Sequence, residues 1–150
     1  MNHRSHDYPK QVGDIQVDHS LDDPGFKPCN ENHIPQYYEF SHGLMYKGEK
    51  IKITEFFMRE FRDSRDPKAT GYVTIRFVVN CEGKTGRFRI QETDEQFVDR
   101  SFDKKLTGQL LNLTKKLNGW SVPSDGTRRF DYYQYLTFKL EAGRLMEILP

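Results

Sequence analysis

The chain is 150 residues long, and its 23 basic and 22 acidic side chains are interspersed to a formal charge of +1. That balance leaves no basic patch of the kind that holds nucleic acid or anionic lipid, and the length suits one core rather than two. Hydrophobic residues are only 35% of the chain, but aromatics reach 13% and each buries more area than Ala or Val, so an aromatic-rich core is expected.

No apolar run approaches the roughly 20 residues that span a bilayer, and the opening MNHRSHDYPK has no apolar leader-like stretch. The chain as it stands reads as soluble. Residues 1–36 carry Pro9, Pro24, Pro28 and Pro35, the acidic pair Asp22-Asp23, and almost no apolar periodicity, which predicts an extended arm. His3 and His6 with Asp7 could be drawn as a metal site, but histidines near a chain end are usually solvated; they, His19, His33 and His42 are given no metal. Residues 37–46 and 47–53 break aromatic and apolar runs with Ser41-His42-Gly43 and Lys47-Gly48, which suggests short strand or turn pieces.

From about 51 to 62 (IKITEFFMREFR) the apolar spacing changes to Ile53, Phe57 and Phe61 at intervals of four, predicting an amphipathic helix, with Thr54 as an alternative cap. Pro67 disfavours helical geometry at Asp66. Residues 71–80 (GYVTIRFVVN) alternate Val73, Ile75, Phe77 and Val79 with Tyr72, Thr74, Arg76 and Val78, the pattern of a central strand. A tight turn at Glu82-Gly83 and renewed alternation in TGRFRIQ make a hairpin. Phe102, Leu106, Leu110, Leu113 and Leu117 then recur at spacings of 4, 4, 3 and 4, a helix that should cover one sheet face and end at Asn118-Gly119. Trp120 follows and should be buried. A long strand is predicted over 128–141 (RRFDYYQYLTFKLE), and Ala142-Gly143 could turn the chain back as RLMEIL beside it. Val73, Ile75, Phe77, Phe88, Leu106, Leu110, Leu113, Trp120, Leu136 and Phe138 are the expected core.

Cys29 and Cys81 have no His pair at zinc-finger spacing, which leaves two buried thiols, a disulfide, or, with least support, a catalytic thiol. Phosphate loop, nucleophile elbow, HExxH and clustered carboxylates are all missing from the sequence, so no catalytic or cofactor residue is assigned and no enzyme is expected.

Residues 71–148 resemble the TonB C-terminal domain family of periplasmic energy transducers, through GYVTIRFVV, the Glu82-Gly83 turn, FRI, the leucine-spaced helix, Trp120 and YLTFKL. The likeness is to stand-alone or receptor-attached members of Bacteroidetes-like bacteria. The family's Tyr-Pro dipeptide near the first helix is not seen before Gly71, and its proline-rich spacer and membrane anchor are not in this sequence, so energy transduction is not implied. The resemblance implies an α+β domain at 37–150 after an irregular extension at 1–36, with an antiparallel sheet of three to four strands and two helices on one face. It implies a periplasmic home, with a leader or anchor preceding this segment, and an oxidising compartment in which Cys29 and Cys81, at a hairpin end where an arm could be stapled, come within bonding reach. It also implies strand addition, in which a short extended motif of an outer-membrane transporter pairs with an edge strand matching 130–140. Phe130, Tyr132, Tyr133, Tyr135, Thr137 and Lys139 are the residues of that edge, although sheet packing is the more ordinary use of its tyrosines. Residues 144–148 could occupy the same edge as a built-in competitor, and strand exchange could then give a homodimer. The alternative function is a small-ligand-binding or enzymatic α+β domain with a closed pocket.

Overall fold

The computed structural model describes residues 14–39 and 45–150. His3, His6, Asp7, Pro9 and residues 40–44, His42 included, lie outside them. The fold is α+β: α1 (Glu49–Glu60), β1 (Gly71–Val79), β2 (Thr85–Thr93), α2 (Lys104–Lys116), β3 (Tyr132–Glu141) and β4 (Arg144–Leu149) build one antiparallel sheet in the order β2-β1-β3-β4.

β1 is central because its alternation supplies two buried faces. Val73, Ile75, Phe77 and Val79 pair with Phe138, Leu136, Gln134 and Tyr132 of β3 on the face that meets the helices. Phe57 of α1 reaches Phe138 with ring centroids 4.8 Å apart, and Phe77 meets Trp120 at 5.3 Å. The leucine stripe does what its spacing predicts, with Leu106, Leu110 and Leu113 buried in α2 and Leu117 buried just after it. Nine of the ten expected core residues are buried, while Phe88, stacked on Phe77 at 5.3 Å, is only half-buried near the sheet edge.

Helix ends follow local chemistry. α2 begins at Asp103, whose carboxylate accepts the N–H of Lys105 at 3.1 Å; α1 starts behind Gly48, which takes left-handed backbone (φ 85°), so Thr54 lies inside the helix and caps nothing. The Gln109 side chain holds both backbone groups of Arg62, accepting its N–H at 2.6 Å and donating to its carbonyl at 3.1 Å, which fixes the end of α1 against α2.

Residues 14–36 of the arm form no helix or strand and lie across the second face of the sheet, making a third layer opposite the helices. One expectation is corrected: β3 is not an open edge over its second half, because Ala142 (φ 50°) and Gly143 (φ 83°) form the tight turn that brings β4 back along Thr137–Glu141. That hairpin buries Leu145 and Ile148, and its turn is docked by Gly143, which donates to the Ala69 carbonyl and accepts from the Ser64 N–H, both at 2.9 Å.

Candidate functional site

Most of the residues assigned to an exposed edge are buried. Tyr132, Tyr133, Tyr135 and Thr137 are buried and Lys139 is half-buried; β1 lies along one side of all of them, while on the other side β4 pairs only with Thr137–Glu141 and the arm meets Tyr133. Phe130 precedes β3; its N–H donates to the Pro123 carbonyl and its ring stands edge-on to His33 at 5.8 Å. Tyr132 donates its hydroxyl to the Ser121 carbonyl at 2.8 Å, and burial pushes its phenol well above the usual range. From Tyr132 to Phe138 β3 has no charged side chain, and that is the sequence signal that would have marked it as interior.

The arm meets this strand directly. Cys29 is bonded to Cys81 across a Cα–Cα distance of 5.9 Å, which settles the alternatives for the two cysteines in favour of the disulfide. Beside it the buried carboxylate of Asp131 accepts three backbone N–H groups, from Cys29 at 2.9 Å, Asn30 at 2.8 Å and Cys81 at 2.8 Å. Asp131 and the two sulfurs lie within 4.8 Å of one another, but the sulfurs are spent on each other and the carboxylate on N–H donors, so the trio offers no set of metal ligands. Further along, the Pro35 carbonyl accepts the Tyr133 N–H at 2.9 Å, giving Gln36 a parallel bridge to Tyr133.

Charge holds the arm on β2. Arg87, which bulges from the strand with φ 57°, makes a forked pair with Glu31 at 2.6 and 2.8 Å; Arg89 does the same with Asp22 at 2.8 and 2.9 Å. Hydrogen bonds from these guanidinium groups hold the Glu31 and Asp22 carboxyls below the usual carboxylate range. Arg89 extends the anchor to the Gln16 carbonyl at 2.8 Å, and the Tyr133 hydroxyl accepts the Ile15 N–H at 3.4 Å. Two arginines at a spacing of two on one strand face were visible in the sequence; their partners, 56 and 67 residues away, were not.

The true edges are β2 and β4. In an antiparallel pair alternate residues point their backbone groups away from the partner strand. With Glu141 and Arg144 closing the two-residue turn, those residues in β4 are Leu145 and Ile148. Among the described residues nothing bonds to that outer edge. On β2, Arg100 donates its N–H to the outward Glu92 carbonyl at 3.2 Å, and the next outward residue, Ile90, is left without a partner among the described residues.

The molecule is thus an α+β domain: a four-stranded antiparallel sheet covered by two helices on one face and by a disulfide-anchored arm on the other. No family model matches the chain, and no curated protein or solved structure is found to be similar to it. Among the described residues no helix is long and apolar enough to cross a membrane.

Proposed function

We propose that this domain is a protein-interaction module that receives an extended segment of a partner by β-strand addition at the outer edge of β4. The observation that carries the reading is the row of outward N–H and C=O groups at Leu145 and Ile148, which meets no other part of the described chain. An incoming strand gains main-chain hydrogen bonds there at once, because β4 is already held in extended geometry by β3 and needs no ordering. The tail is too well buried through Leu145 and Ile148 to act as a removable competitor, so the partner pairs with it instead of displacing it.

The disulfide supports an oxidising compartment, with the periplasm as the setting that the TonB-like pattern suggests. A short extended motif of an outer-membrane transporter is the partner class that follows, and a second copy of the chain pairing β4 to β4 is the homodimeric variant. A closed-pocket ligand domain is less well supported, since the 600 Å³ groove beside β2 opens to solvent.

The test is amide hydrogen exchange with synthetic extended peptides of alternating apolar residues. Peptide binding should slow exchange at Leu145 and Ile148, and N-methylation of the peptide at alternate positions should abolish the effect. Exchange at both amides that no peptide changes, with the chain monomeric throughout, would end the reading.

A further inference from the structure

We propose that the groove beside β2 is a second docking site, distinct from the β4 edge, which takes an extended segment that mixes acidic and apolar side chains. The groove, about 600 Å³, runs along the outer edge of β2 between α2 and the arm. Its α2 wall carries Leu111 and Lys115, and its floor on that side is Phe88 and Ile90, the latter 39% exposed. The opposite wall is formed by the arm at Leu21 to Asp23, with Leu21 67% exposed. A segment lying here would meet the outward backbone groups of Ile90, and the pleat would send its alternate side chains to the two walls.

Charge decides what those side chains are. Arg87 and Arg89 are matched by Glu31 and Asp22, but Arg76, which lines the groove from β1, has no ion pair or hydrogen bond among the described residues. Lys115 likewise has no carboxylate partner there and sits 5.5 Å from the centre of the Phe88 ring. Against these two cations the groove sets only Asp23 beyond the paired Asp22. A segment that carries carboxylates among branched apolar residues therefore complements the groove, with Arg76 and Lys115 to receive the carboxylates and Leu21, Phe88 and Leu111 to cover the apolar side chains, whereas a basic segment would face unmatched like charge.

Heptapeptides alternating glutamate with valine and lysine with valine, titrated into the whole chain with amide resonances as the readout, test this. The glutamate peptide should shift Ile90 and Gln91, and the lysine peptide should not. The double variant R76Q/K115Q should weaken glutamate binding about fivefold, as expected for exposed charge pairs. Should that variant fold poorly, salt gives the same answer on the native chain, because binding should weaken as the screening length falls from about 10 Å at 0.1 M to about 3 Å at 1 M. Equal affinity for both peptides, affinity unaffected by salt, or no response at Ile90 and Gln91 would overturn the proposal. Shifts confined to Leu145 and Ile148 would also overturn it while leaving the β4 reading standing.

Discussion

The ring of Phe26 lies over Gly86, in the space that a β-carbon on Gly86 would fill. Gly86 pairs with Val78 in β2, and its bare backbone lets the arm lie flat on the sheet. Gly86→Ala forces Phe26 off the strand, and overpacking of this kind costs typically 1–3 kcal/mol. Urea denaturation should register that loss, and Phe26→Ala should relieve it in the double variant. Additive losses would show that the two residues do not share this space.

The disulfide closes a loop whose ends are 52 residues apart, and on the chain-entropy model its removal costs about 4 kcal/mol. Asp131→Ala should rival this figure, because it leaves three backbone donors that had bonded to a carboxylate, each such bond being worth about 1.5–3 kcal/mol. Thermal unfolding of Cys29→Ser/Cys81→Ser, of Asp131→Ala and of the combination measures both. A change of less than about 1 kcal/mol in Asp131→Ala would contradict the bonding described here.

Acid should loosen the arm. The Asp22 and Glu31 carboxyls are held below their unfolded values of about 3.9 and 4.3, so what their charges contribute is complete above those values and is lost as the pH falls through the folded ones. The stability gap between the native chain and Arg89→Gln should therefore be constant near neutrality and shrink below about pH 4. Denaturation curves across that range check it. A gap unchanged to pH 2 would show that the Asp22 charge contributes nothing through Arg89.

Deleting 144–150 uncovers the β3 edge from Thr137 to Glu141 and the side chains of Phe138 and Leu140 that Ile148 and Leu145 face. The shortened chain should dimerise by pairing that edge with its copy, which analytical ultracentrifugation would detect. A monomer of unchanged stability would mean that β4 contributes little to the sheet.

β1 and α2 were legible because their apolar residues follow a simple period, β2 because the Glu82-Gly83 turn precedes it, and the β3-β4 turn because Gly143 suits a positive φ, which Ala142 takes as well. Strand order was not, since nothing in the alternation of Tyr132 to Phe138 states which strand lies beside it. The arm was illegible for a related reason. Its hold depends on backbone groups at Cys29, Asn30 and Pro35, and backbone groups have no sequence signature. Lone carboxylates such as Asp22 and Glu31 look like solvated charge until Arg89 and Arg87 are placed opposite them.

The three N–H groups on Asp131 also impose an order on folding. Cys29 and Asn30 precede that carboxylate by 102 and 101 residues. At about 5–20 residues per second of synthesis, the arm waits some 5–20 s for the side chain that anchors it. The backbone of Cys29 and Asn30 thus finds its carboxylate only after β1, β2 and α2 have been made.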